Sequence, residues 1–307
     1  MILQNQTTEF ILLGLTHNPW LIGPLFLIFM TMYATTLLFN GGLIVLIHSD
    51  HRHRTPMYLF ISHLSLVDIC YSSTVTPKML AGFILEINTI SFNGCMAQLF
   101  CYATFGGTES FLLAAMGYDR YVAICHPLQY LSIMTKKACI LLVLACYTGA
   151  LLNAGVQLGL MLRLSFCASN EIQHFFCDYP PLTHLSCTDT HVNRVVLLTL
   201  LFIIGMFSIL VILTSYVSIF RTILGMHSMT GRRRAFSTCS SHFTAMTLFY
   251  GSVFISYVRP SGSYFPHQDM IMALFYTVVI STINPLIYSL RNADIKQALR
   301  MMLGKNL

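Results

Sequence analysis

Two acids stand alone in long apolar surroundings. Asp68 is the one charge in residues 57–77, and Glu109 the one charge in residues 95–118. An ionisable group in such a segment is costly and turns toward other polar groups, so each is a functional candidate. One reading is a shared polar site that holds water or a sodium ion and changes with the state of the protein. The other is a structural polar cluster with Asn40 and Asn284. Asp119-Arg120-Tyr121 closes the second of these stretches. Arg120 must either turn inward to polar partners or face a crevice where another protein docks. In Asn284-Pro285-Leu286-Ile287-Tyr288 the proline removes a backbone donor and kinks a helix. The kink beside Asn284 is either a moving part or a passive bend.

Cysteine and histidine supply the other candidate chemistry. Cys167, Cys177 and Cys187 recur every ten residues, with His174, His184 and His191 between and after them, and Cys95 lies upstream. In an oxidising compartment these four cysteines form disulfides, and spacing alone leaves all three pairings open. A copper or zinc site is the alternative, but thiols committed to disulfides cannot ligate as thiolates. The six cysteines at 70, 101, 125, 139, 146 and 239 suit small apolar packing positions. No CxxC, P-loop, GxSxG or HExxH motif occurs, so neither a metal cofactor nor an enzymatic centre is expected.

Elements able to position these residues follow from the solvent. Of 307 residues, 55% are hydrophobic and 9% charged, whereas soluble domains carry roughly 25% charge. So little charge cannot dress a water-facing surface. A helix crossing the hydrocarbon needs roughly 20 apolar residues, and seven stretches qualify: 21–47, 57–77, 95–118, 138–162, 195–220, 235–258 and 270–290. The expected fold is an all-α membrane protein, a seven-transmembrane helix bundle over 21–290 between tails at 1–20 and 291–307.

Lysine and arginine set the orientation. With the N-terminus outside, thirteen fall on the cytoplasmic side (Arg52, Arg54, Arg120, Lys136, Lys137, Arg221, Arg232, Arg233, Arg234, Arg291, Lys296, Arg300, Lys305) and four outside (Lys78, Arg163, Arg194, Arg259). The sequon Asn5-Gln6-Thr7 then lies outside, where Asn5 can be glycosylated. The first twenty residues carry no signal-peptide pattern. After Leu290, residues Ile295, Leu299 and Met302 share a face flanked by Lys296 and Arg300, which predicts a short amphipathic helix on the inner membrane surface.

A ligand pocket is expected in the outer half of the bundle. Tyr102, Ala103, Gly106 and Gly107 recur at helical spacing in span three, where the glycines either open space or allow close packing. Tyr250, Phe254 and Tyr257 share one face of span six, and Leu200, Ile204 and Thr277 can add walls from spans five and seven. No charge enters this set, which suits small neutral volatile molecules. An amine receptor would be expected to carry an acid near Cys101-Tyr102-Ala103-Thr104-Phe105, and none is there. A transporter would be expected to show inverted repeats and paired broken helices, and the chain shows neither.

The motifs resemble those of the vertebrate odorant receptors of the rhodopsin-like superfamily. Met116-Gly117-Tyr118-Asp119-Arg120-Tyr121-Val122-Ala123-Ile124-Cys125 is close to that family's MAYDRYVAIC. Thr55-Pro56-Met57-Tyr58, Pro77-Lys78-Met79-Leu80, Ser215-Tyr216, Ala235-Phe236-Ser237-Thr238-Cys239-Ser240-Ser241-His242 and Asn284-Pro285 match further signatures. His174-Phe175-Phe176-Cys177-Asp178 is similar to the tetrapod-type branch. Gly117 replaces an alanine, His63 an asparagine, and Phe39 a glycine before Asn40. The resemblance implies a plasma-membrane receptor with Cys95 bonded to Cys177 and Cys167 to Cys187. It also implies Asp119, Arg120, Tyr121, Tyr216, Asn284, Pro285 and Tyr288 in coupling, with a heterotrimeric stimulatory (olfactory) G protein as partner. No nucleic-acid partner is expected.

Overall fold

The structure is a computed structural model that describes residues 8–16, 18–49, 55–85, 88–167, 169–225, 228–257 and 266–291. The helices are α1 (Pro19–Ser49), α2 (Pro56–Ile84), α3 (Phe92–Cys125), α4 (Tyr130–Ile133), α5 (Lys136–Met161), α6 (Tyr179–His184), α7 (His191–Leu224), α8 (Met229–Tyr257), α9 (Pro266–Leu274) and α10 (Ile280–Arg291). A π-helical turn, Phe275–Val279, joins α9 to α10 into one interrupted helix. Six long helices and this composite correspond to the seven expected spans. Each begins before its apolar stretch, and α5 and α8 stop one residue short of its end. Among the described residues, five are long and apolar enough to cross a membrane by length and composition alone.

Local sequence explains where several helices begin. Pro56 opens α2 at a position whose N–H needs no partner. Ser91 caps α3 by accepting from the Gly94 N–H at 3.1 Å, and Thr135 caps α5 by accepting from the Ala138 N–H at 3.2 Å. Helix α3 runs through the centre of the bundle, against α2, α5, α7 and α8. The outward faces stay apolar: Leu38, Leu152 and Phe202 are exposed, which only a lipid solvent tolerates over so much surface.

One end of the bundle is closed by a lid that includes a small three-stranded sheet with no signature in the sequence. Strand β1 (Glu9–Leu12) pairs antiparallel with β2 (Thr89–Ser91) and parallel with β3 (Glu171–Ile172), in the order β2-β1-β3. Phe10 is fully buried beneath this sheet, edge-on to Phe166 at 5.4 Å. Strands of two to four residues are too short to show alternation. The expected amphipathic helix after Leu290 and the sequon at Asn5 lie outside the described residues.

Candidate functional site

Under the lid, the Cys95–Cys177 disulfide joins the start of α3 to the long loop before α7, and Cys167–Cys187 closes that loop on itself. Gln98 reinforces the first tie. Its Oε1 accepts from the Cys177 N–H at 2.9 Å, and its Nε2 donates to the Thr74 carbonyl of α2 at 2.9 Å. The loop therefore reaches into the bundle and buries His174, Phe175 and Phe176. Phe176 packs on Tyr102 with ring centres 4.9 Å apart. Burial without a charge partner pushes the His174 imidazole down to about 3. His184 is also lowered, first by burial and then by Arg194. With Cys95 and the three loop cysteines in disulfides, the alternative metal site has no thiolates.

Directly beneath lies a cavity of about 120 Å³, against the roughly 10–15 Å³ that one water needs. Tyr102, Ala103, Gly106, Gly107, Ile204 and Tyr250 line it, all from the sequence expectation. A Cβ on Gly106 would stand 3.2 Å from the Tyr71 hydroxyl, so a side chain there fits only if Tyr71 shifts by a few tenths of an ångström. Gly107 serves the packing reading as well, since its Cβ would meet that of Ala150 at 3.2 Å.

Three expected wall residues lie off this cavity. The lining face of α7 is Leu197, Leu201, Ile204 and Gly205, which turns Leu200 aside by one residue. On α8 the wall is Phe249, Tyr250 and Val253, while Phe254 is 61% exposed on the outward face. Thr277 is buried but donates to the Ala273 carbonyl at 2.6 Å. The π turn brings its neighbour Tyr276 to the cavity instead. The Tyr257 side chain lies outside the described residues. The wall is also not free of charge: Asp178 lines it. Its Oδ1 accepts from the Tyr179 N–H at 2.7 Å, and its Oδ2 from the Tyr276 hydroxyl at 3.4 Å. A sequence signal existed, because Asp178 directly follows a cysteine expected to be tied to span three.

Deeper in the bundle, Asn284 Nδ2 donates to Glu109 Oε1 at 3.1 Å and faces both Asp68 oxygens at 3.3 Å. Asn40 is adjacent but separate, donating to the Thr36 carbonyl at 3.0 Å and the Ser281 carbonyl at 3.1 Å. Glu109 Oε2 is buried without a partner among the described residues. Two carboxylates gathered about the Asn284 amino group bring together oxygens of the kind hard cations prefer.

At the far end, Arg120 Nη2 pairs with Asp119 Oδ2 at 3.0 Å, and the Tyr130 hydroxyl donates to Asp119 Oδ1 at 2.8 Å. Tyr121 meets His126 Nε2 at 3.1 Å. Tyr216 does not meet Arg120; its hydroxyl bonds His242 Nδ1 at 2.7 Å. His242 went unremarked as a functional residue, although an imidazole inside a span is itself a signal. Pro285 is buried inside α10, and the Tyr288 side chain lies outside the described residues.

This arrangement is a lidded cavity at one end, a buried acid pair in the middle and an arginine at the other end, and the chain that carries it is similar to known proteins. A family model described as olfactory receptor matches residues 29–306. Human olfactory receptor 5AP2 is 47% identical over 99% of this chain and 96% of its own. Human olfactory receptor 5B21 is 50% identical over 98% and 97%. Squid rhodopsin shares the fold, with a TM-score of 0.69 over 94% of this chain and 86% of its own at 17% identity. The protein is thus a multi-pass membrane receptor and not an enzyme: the chain belongs to the olfactory receptor family of G-protein-coupled receptors.

Proposed function

We propose that the chain detects small neutral volatile molecules in the cavity beneath the lid and activates the stimulatory (olfactory) G protein, raising cyclic AMP. The observation that carries this reading is the lidded cavity itself, walled by aromatic and aliphatic side chains with a few hydroxyls and amides. Such a wall holds ligands by burial and dispersion and orients them with a few polar contacts. Asp178 strengthens the case against carboxylic acids by like-charge repulsion. Its two oxygens already accept from Tyr179 and Tyr276, so neutral ligands remain favoured over amines.

In this reading the receptor sits in the plasma membrane with its N-terminus outside. The thirteen-to-four lysine and arginine bias supports that orientation, as do disulfides at the opposite end. Asn5 carries the glycan, and the exposed apolar faces contact membrane lipid. Arg120, with Asp119, Tyr121, Tyr216, Asn284, Pro285 and Tyr288, forms the coupling machinery. Asp68 and Glu109 hold a sodium ion whose charge offsets theirs, with Asn284 orienting both carboxylates. A cyclic AMP reporter assay in transfected cells, run against a chemically broad odorant panel, tests the whole. Silence toward every neutral volatile by a receptor shown to be at the surface would refute it.

A further inference from the structure

The cavity contains a pair of side-chain amides that nothing else in the bundle uses up. Asn153 and Gln157 lie four residues apart on α5 and both line the cavity. Gln157 Nε2 donates to Asn153 Oδ1 at 3.2 Å. Two amides bonded in this way always leave one amino group and one carbonyl oxygen over. Here these are Asn153 Nδ2 and Gln157 Oε1, and among the described residues neither has another hydrogen-bond partner. Gln157 is only 6% exposed and Asn153 is half-buried, and both line the cavity, so their leftover groups are open to whatever fills it.

Gly107 of α3 also lines the cavity, and a Cβ there would come to ordinary van der Waals contact with Asn153 Nδ2, at 4.0 Å. The other cavity hydroxyls are less free: the Tyr250 hydroxyl donates to the Ser110 carbonyl at 2.9 Å and also meets the Ser110 hydroxyl at 2.9 Å.

We infer that Asn153 and Gln157 form a hydroxyl-recognition subsite, which makes aliphatic alcohols the preferred ligand class of this receptor. The inference rests on the cavity's being the ligand site. A hydroxyl accepts from Asn153 Nδ2 and donates to Gln157 Oε1, satisfying both leftover groups with one ligand atom. A ketone or ether oxygen only accepts, so it leaves the Gln157 oxygen unpaired. Sites built to bond a ligand hydroxyl discriminate strongly against analogues that lack one.

The test uses the full-length receptor at the cell surface. Straight-chain alkanols are compared with the methyl ketones and methyl ethers of equal length in a cyclic AMP reporter assay. Wild type is expected to respond to the alkanol at a concentration lower by about tenfold or more. Asn153→Leu and Gln157→Leu are each expected to bring that ratio close to unity while ketone responses persist. A ratio is insensitive to how much receptor folds, and the wild-type ratio tests the idea even if a variant is lost. Ketones or ethers matching alkanols on wild type, silence toward alkanols, or a ratio untouched by both substitutions would each overturn the subsite. Gly106→Leu separates the two readings. It should abolish all three probe classes, and if it does so while the ratio ignores Asn153 and Gln157, the cavity stands and the subsite falls.

Discussion

The Tyr216 hydroxyl lies 2.7 Å from Nδ1 of His242 and locks α7 to α8 at the end of the bundle that carries Arg120. The other imidazole nitrogen completes a bridge to α3: Nε2 lies 3.0 Å from the Leu113 carbonyl. A carbonyl can only accept, so Nε2 donates to Leu113, and the Tyr216 hydroxyl also donates to the Cys239 carbonyl of α8 at 3.3 Å. One side chain thus ties together three helices around the arginine. Removing it should loosen α8. At about 1 kcal/mol for each of the two hydrogen bonds lost, His242→Leu should raise ligand-independent cyclic AMP by up to about thirtyfold. Unchanged basal signalling at equal surface amount would show that the bridge does not restrain the receptor.

Arg120 is poised differently. Its one ion-pair partner among the described residues is the adjacent Asp119, and its Nε is buried without a partner. A guanidinium held this loosely can be recruited by a docking protein. Arg120→Ala should therefore abolish ligand-driven cyclic AMP while surface staining stays near wild type. A variant that reaches the surface and still signals fully would remove Arg120 from the coupling machinery.

The lid should be sensitive to its buried N-terminal strand. Phe10 fills the space between Phe92 and Phe166. Truncating a fully buried phenylalanine costs about 3–5 kcal/mol in soluble cores, so Phe10→Ala should lower the melting temperature of purified receptor and reduce surface delivery. Equal melting curves would mean that the strand is dispensable.

How far the sequence carried this architecture varied by element. Long stretches with at most one charge marked all seven helices, because lipid imposes one length and one composition. On α3, Tyr102, Ala103, Gly106 and Gly107 could be placed on one face, since polar and small residues break the apolar background there. On α7 almost every residue is apolar, nothing distinguishes Leu200 from Leu201, and the chosen face missed by one position. The π turn at Phe275–Val279 leaves no compositional trace, so Tyr276 could not have been preferred over Thr277. The three short strands bury Phe10 through tertiary pairing rather than through any local pattern.

The lid also predicts a pH dependence. His174 is buried, and its folded-state value is pushed down to about 3 from the ordinary 6.5. Above 6.5 the imidazole is neutral whether folded or unfolded, and stability does not depend on it. As pH falls below 6.5 the unfolded chain takes up the proton and the folded chain does not, so stability declines from there toward about 3. Wild type should lose more thermal stability than His174→Phe between about pH 7 and about pH 5. His184 titrates in both proteins and cancels in the comparison. Identical losses would show that His174 is not held neutral by burial.

The last prediction separates the cavity wall from the lipid face of the same helix. Tyr250 and Phe254 are one turn apart on α8, and the aromatic spacing suggested a shared face. In the structure Tyr250 lines the cavity and meets Ser110, whereas Phe254 points outward. Tyr250→Phe removes a hydroxyl that can accept a further bond from a ligand, and it also frees the Ser110 hydroxyl. The order of potency among oxygenated agonists should therefore change. Phe254→Ala removes only lipid contact and should leave that order intact. With dispersion and burial at about 25 cal/mol per Å² doing most of the binding, wild-type half-maximal concentrations should be about micromolar or weaker. Dose–response curves for several agonists on both variants decide the matter. If Phe254→Ala reorders the agonists and Tyr250→Phe does not, the ligand binds against the other face of α8 and the cavity is not its site.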